Sequence, residues 1–170
     1  MNNKVLYEII LNRLKQEDDE LSSLINQGIF YAPELYIAFI LGKEIKKNDV
    51  KIFGQQTEWI RETNFGNGGP TDFAFKTRNK IYAFELKLRN TIYAYSTDIE
   101  KLQKLDHTYG KYFLALIDSW DTEKEKDRRI VDIETKYESL KRVSIFTSFA
   151  TKQDWYKGQV CCTVGLWELD

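Results

Sequence analysis

The stretch Gly68-Gly-Pro-Thr-Asp-Phe-Ala-Phe75, and after it Ile81-Tyr-Ala-Phe-Glu-Leu-Lys-Leu88, decides how this chain reads. Successive side chains of a strand point to opposite faces, so residues 71–76 set Phe73 and Phe75 on one face and Asp72 and Ala74 on the other. Residues 80–89 set Tyr82, Phe84, Leu86 and Leu88 on one face, with Ala83, Glu85, Lys87 and Arg89 on the other. The polar run Thr77-Arg-Asn-Lys80 is the turn between them. A two-residue loop at Arg78-Asn79 and a four-residue loop over Thr77–Lys80 give the same antiparallel register. Phe73 then faces Phe84, Phe75 faces Tyr82, Ala74 faces Ala83, and Asp72 faces Glu85.

The aromatic pairs favour that register, but two carboxylates facing each other repel unless a cation lies between them. A hard divalent cation such as Mg²⁺ prefers carboxylate and carbonyl oxygens, and the small Ala74 and Ala83 leave room for water and substrate. Lys87, about 6–7 Å further along the same face, brings an ammonium beside the pair. The competing reading is that Asp72, Glu85 and Lys87 decorate the wet face of an ordinary hairpin, because the pattern is short and its residue types are common.

Asp72 after the turn Gly66-Asn-Gly-Gly-Pro70, with Glu85-x-Lys87 on the next strand, resembles the signature of the PD-(D/E)xK nuclease superfamily. The resemblance covers residues 30–150. It implies an α/β, restriction-endonuclease-like fold, a central mixed β-sheet flanked by helices with an αβββαβ core. It also implies a Mg²⁺ or Mn²⁺ ion bound by Asp72, Glu85 and the Leu86 carbonyl, with Lys87 placing the attacking water and favouring its deprotonated form. Two positions depart from the pattern. Thr71 precedes the aspartate, with Pro70 one step earlier, and Gln103 is followed four residues later by His107, not by the tyrosine of the exonuclease branch.

The remaining core elements follow in order. Pro33 suits the first turn of a helix, and the apolar run Glu34-Leu-Tyr-Ile-Ala-Phe-Ile-Leu41 reads as a buried helix with Glu34 near its amino end. Glu34 is either a first-turn acid favoured by the helix dipole or the accessory acid of the resemblance, holding a second water or metal ion. Residues 57–65 read as the first strand, and residues 97–105 as a helix capped at Ser96 or Thr97, with Ile99, Leu102 and Leu105 at helical spacing. Strands are expected over 111–118 and 143–149, and a last strand over 159–168 is expected to add to a sheet edge. The charged residues 121–142 read as a solvent-facing helix with internal ion pairs. Trp155 and Trp167 read as core or oligomer surface.

With 170 residues, 42% of them apolar and 14% aromatic, the chain can bury one core. It reads as one domain, with N-terminal helices over 1–28, a core over 30–150 and a C-terminal strand extension over 151–170. The start reads as a polar amphipathic helix, and no apolar run is long enough to span a membrane. Cys161 and Cys162 are adjacent and cannot staple distant segments, which points to a reducing cytoplasm. His107, the only histidine, excludes a His-rich zinc centre and a two-histidine mechanism and is expected to be structural at a helix end. The glycine turn lacks the Gly-Lys-Ser/Thr ending of a phosphate loop.

The net charge is −1, yet residues 76–111 hold 8 basic and 4 acidic side chains. Lys76, Arg78, Lys80, Arg89, Lys101 and Lys104 are therefore candidates for phosphate contacts flanking a cut, or ordinary solvated charges. The expectation is a Mg²⁺- or Mn²⁺-dependent endonuclease acting on nucleic acid, DNA first. The family carries with it a homodimer where both strands of a duplex are cut, and a separate protein partner is a further option. The rival expectation is an inactive nuclease-fold module that binds protein or nucleic acid.

Overall fold

Leu6, Ile10 and Leu14 recur at the four-residue spacing that puts side chains on one helix face, and helix α1 (Asn3–Ile25) buries that face completely. Asn2 caps its start by accepting the Val5 N–H at 3.2 Å, and Asn26, left-handed at φ 57°, ends it. The computed structural model describes residues 1–120 and 127–170. A 3₁₀ turn (Ile29–Tyr31), helix α2 (Glu34–Lys47) and helix α3 (Asp49–Phe53) follow, all packed into the same core as α1.

A mixed seven-stranded sheet lies between these helices and a second helical layer. Strands β1 (Glu58–Asn64), β2 (Pro70–Lys76) and β3 (Ile81–Leu88) form an antiparallel meander. The β2–β3 register pairs Phe73 with Phe84, Ala74 with Ala83 and Phe75 with Tyr82, as the alternation requires. Thr77 closes the turn, its N–H donating to the Lys80 carbonyl at 2.9 Å and its hydroxyl accepting the Lys80 N–H at 3.0 Å. Strand β4 (Tyr109–Trp120) runs parallel to β3, a pairing that needs a crossover, and helix α4 (Ile92–Gln103) supplies it.

Period-two alternation sorts the sheet into two cores. Phe73, Phe75, Phe84, Leu86, Tyr112 and Leu114 face α1, α2 and α3, and Phe84 stacks between Phe73 at 5.0 Å and Tyr112 at 4.9 Å. Ala83, Phe113, Ala115 and Trp167 face Tyr95, Ile99 and Leu102 of α4 and Ile130 and Ile133 of helix α5 (Arg128–Lys136). Glu85 and Lys87 share the alternation of Ala83, so they point toward α4.

Five expectations about elements change. Helix α2 is amphipathic and not buried all round: Ile37, Leu41 and Ile45 are buried while Leu35, Tyr36 and Phe39 are exposed. Helix α4 begins at Ile92, capped by the Thr91 side chain, which leaves Ser96 and Thr97 inside the helix. The strand expected over 143–149 is instead two short strands, β5 (Leu140–Arg142) and β6 (Thr147–Thr151). Both pair with strand β7 (Val160–Leu169), whose other edge pairs with β4. β7 is therefore interior, not an edge, as suits a strand buried along both faces. Finally, α5 covers only part of 121–142 and buries Ile130 and Ile133, because its apolar stripe docks on the sheet. It does carry an i,i+4 pair, Arg128 with Asp132 at 3.4 Å, while residues 121–126 lie outside the described residues.

Trp167 is core, Trp155 is exposed, and Cys161 and Cys162 are both buried. Among the described residues no helix is long and apolar enough to cross a membrane.

Candidate functional site

The site forms where β2 and β3 part. Their ladder begins at Phe73–Phe84, one step inside the Asp72–Glu85 position. There the Asp72 carboxylate takes the place of a backbone rung, accepting the Leu86 N–H at 2.7 Å. The ladder between β1 and β2 also skips this point, passing from Arg61–Phe73 to Thr63–Thr71. Glu62, the residue skipped, sits at φ 46°, a strained conformation for a residue other than glycine. The turn that delivers Asp72 uses Gly66 at φ 82° and Gly68 at φ 103°, where a side chain is costly. Buried Asn67 within it donates its amide to the Lys101 carbonyl at 3.3 Å and so ties the turn to α4.

Glu85 is 1% exposed. Its Oε2 pairs with Lys101 Nζ at 2.7 Å, while its Oε1 is buried without a hydrogen-bond partner. Burial pushes the Glu85 carboxyl up to about 8, with the charge of Asp72 adding to the rise and Lys101 opposing it. Burial also raises Asp72, against the Leu86 N–H and the Lys87 charge. The two carboxylates placed together by the register thus repel as the sequence implies, and without a further cation Glu85 keeps a proton near neutrality.

Lys87 Nζ stands 3.1 Å from Glu34 Oε1 and 3.0 Å from Asp98 Oδ2. Burial works against its charge, but Asp98 and then Glu34 outweigh that effect and raise it. Lys87 therefore acts as a cation and hydrogen-bond donor, not as a base. The second oxygen of Glu34 accepts the Leu88 N–H at 2.8 Å. α2 belongs to the opposite layer of the sheet, yet its first residue reaches over the end of β3 into the site.

Of the residues singled out by sequence, Asp72, Glu85, Lys87 and Glu34 come together. Leu86 lies between Glu85 and Lys87. In a strand the N–H and C=O of one residue point to the same neighbour, so its carbonyl opens toward Asp72 like its N–H. The six candidate cations disperse. Lys76, Arg78 and Lys80 lie at the hairpin tip, roughly 13 Å from Asp72 along the strand, and the Lys80 ammonium sits over the Tyr82 ring at 5.7 Å. Arg89 stacks on Trp155 at 4.5 Å and Phe30 at 5.7 Å. Lys101 is inside the cluster, and exposed Lys104 lies beside the Gly68 turn. His107 is exposed in the turn after α4 and does not take a structural place.

Asp98 is the member that the sequence reading misses. With a helix start at residue 97, Asp98 is an unremarked first-turn acid. With Thr91 as the cap, Asp98 and Lys101 fall in the body of α4 at i,i+3 on one face. The signal available was that pair lying seven and ten residues behind a capping threonine.

Among the described residues no group of three or more His, Cys, Asp or Glu side chains gathers as a metal site. Mg²⁺, however, keeps several waters and needs only one or two carboxylates from a protein. Asp72, Glu85 and the Leu86 carbonyl supply such a set, and the buried, unpartnered Glu85 Oε1 is a donor that a hard cation would satisfy. The residues present fit the ion. No protein-family model, curated protein or solved structure matches the chain, so the chemistry of the site itself carries the functional reading.

Proposed function

We propose that the protein is a metal-dependent nuclease that hydrolyses phosphodiester bonds of nucleic acid, DNA first, on a restriction-endonuclease-like fold. One observation carries this reading. Two carboxylates, Asp72 and Glu85, repel each other at the mouth of a hairpin, one with an unpartnered buried oxygen, beside a lysine gripped by Glu34. The order α2, α3, β1, β2, β3, α4, β4 supports it, being the αβββαβ order that the resemblance implies with one short helix, α3, added before β1.

Asp72, Glu85 and the Leu86 carbonyl would hold Mg²⁺ or Mn²⁺. Such an ion lowers the pKa of water and offsets charge building on the phosphoryl group. Lys87 has three N–H donors. Glu34 and Asp98 engage it from two sides, which leaves a donor to hold the attacking water and to favour its hydroxide form. Glu34 fixes that ammonium and the Leu88 backbone together, a duty beyond that of a first-turn acid. Ala74 and Ala83, expected from the sequence to leave room for substrate, are instead buried, Ala83 under α4.

Cleavage of plasmid, linear duplex, single-stranded DNA and RNA with Mg²⁺ or Mn²⁺ tests the reading. Asp72→Asn keeps an acceptor for the Leu86 N–H, and should lower cleavage at least ~100-fold while thermal unfolding stays cooperative. Lys87→Ala should do the same with some loss of stability, because it strands Asp98. Cleavage retained by both variants sinks the assignment. The inactive binding module is favoured by one observation, the Lys101 ammonium that already occupies one oxygen of Glu85 at 2.7 Å. Wild-type protein that neither cleaves nor binds Mn²⁺ in calorimetry would select it.

A further inference from the structure

Two motifs meet crosswise between β3 and α4. The strand presents Glu85 and Lys87 two residues apart on one face, separated by about 6–7 Å. The helix presents Asp98 and Lys101 three residues apart on one face, with about 5–6 Å between their Cβ atoms. The spacings match and the charges run in opposite order, so Glu85 pairs with Lys101 at 2.7 Å and Lys87 with Asp98 at 3.0 Å. Glu85 and Asp98 are 1% and 6% exposed. Burying ion pairs is costly unless good geometry offsets the desolvation, so this arrangement is unlike a decorated surface.

Lys101 also donates to the Pro70 carbonyl at 2.6 Å. One ammonium thus joins the first residue of β2 to β3 across the gap where the Asp72–Glu85 rung is missing, and Asn67 holds the Lys101 backbone from the turn. With Glu85 ionised, Asp72, Glu85, Glu34 and Asp98 set against Lys87 and Lys101 leave two surplus negative charges, the charge of one divalent cation. Glu85 Oε1 remains unpartnered to receive it. Lys101 can therefore stay in place when the cation binds.

Resting on the nuclease reading, we propose that Asp98 and Lys101 are positioning residues: Lys101 sets the separation of Asp72 and Glu85 for a divalent cation, and Asp98, with Glu34, holds Lys87 where it meets the attacking water. Mn²⁺ calorimetry and cleavage kinetics on the full chain test both halves. Lys101→Met should weaken Mn²⁺ binding at least about tenfold, with Lys101→Arg restoring most of it. Asp98→Asn should leave Mn²⁺ affinity within about twofold and lower kcat at least about tenfold at little-changed KM, with Asp98→Glu recovering part.

Lys101→Met that binds Mn²⁺ as tightly as wild type, or more tightly, makes Lys101 a simple counter-ion and overturns its half. Asp98→Asn with wild-type kcat overturns the other. Where Lys101→Met does not melt cooperatively, Lys101→Gln, which keeps a polar end, is judged by the same criterion. Wild type that neither binds Mn²⁺ nor cleaves sinks the nuclease reading and this inference with it. Wild type that does both while the variants match it sinks this inference alone.

Discussion

The two ends of the β2–β3 hairpin hold charged residues in opposite ways. At the tip the ladder runs to its last rung, Lys76–Ile81, Thr77 completes the turn, and Lys76 and Arg78 stand in water. At the other end the ladder stops one rung short, and carboxylates become partners of the backbone: Asp72 for the Leu86 N–H and Glu34 for the Leu88 N–H. The difference lies in cover. α4 crosses the open end and α2 reaches round it, whereas the tip is bare. A carboxylate that completes a backbone hydrogen bond under cover is fixed by the fold, which is what a reactive constellation requires.

That contrast can be broken at several points, beginning with the ring stack the two ends share. Phe84→Ala removes the ring between Phe73 and Tyr112 and should cost about 3–5 kcal/mol in urea unfolding. A loss under 1 kcal/mol would mean that the hairpin is not anchored through its aromatic face. The pH dependence comes next and belongs to the open end alone. The folded Glu85 carboxyl titrates at about 8, above its ordinary 4.5, so the folded protein holds a proton that the unfolded chain releases. Its contribution is full below the unfolded value and is lost as pH rises toward 8.

The metal-free protein should accordingly lose a few kcal/mol between about pH 5 and 8.5 that Glu85→Gln does not lose. Parallel pH profiles for the two proteins would refute it. By the same linkage, Mn²⁺ binding near neutrality should release a proton, seen as calorimetric heats that depend on the buffer. At the tip the effects shrink. Thr77→Ala deletes a turn hydroxyl and should cost about 1 kcal/mol without moving Mn²⁺ affinity. Arg78→Ala should shift stability by less than ~0.5 kcal/mol and leave cleavage unchanged at low and moderate salt. A defect that is largest at low salt and shrinks as salt rises would instead put the tip on the substrate.

Much of this was legible locally. A slip of one residue would turn Phe73, Phe75 and Phe84 toward α4 and the charges into the apolar core, so alternation alone specified the register and the faces. The apolar run Phe113–Ile117 likewise marked a buried strand. β7 carried a similar signal in a run buried on both faces, but while β6 precedes it directly, the β4 partner on its other edge is distant in the chain, and a local pattern does not say which strands will flank it. The start of α4 was missed because Ser96 and Thr97 are as able to cap as Thr91, and the choice fell to whichever start let Tyr95, Ile99 and Leu102 reach the core.

The sequence by itself determined the hairpin, the pairing of its aromatic faces and the meeting of Asp72 with Glu85 and Lys87 on one side, because each follows from a backbone period of two and a short turn. Only the tertiary structure decided that Glu34 arrives from the opposite layer, that Asp98 and Lys101 close the site, and that Lys76, Arg78 and Lys80 stay outside it. Those placements depend on how α2 and α4 lie across the sheet, and helix packing over a sheet is set by the whole buried core, not by the residues that the helices carry to the site.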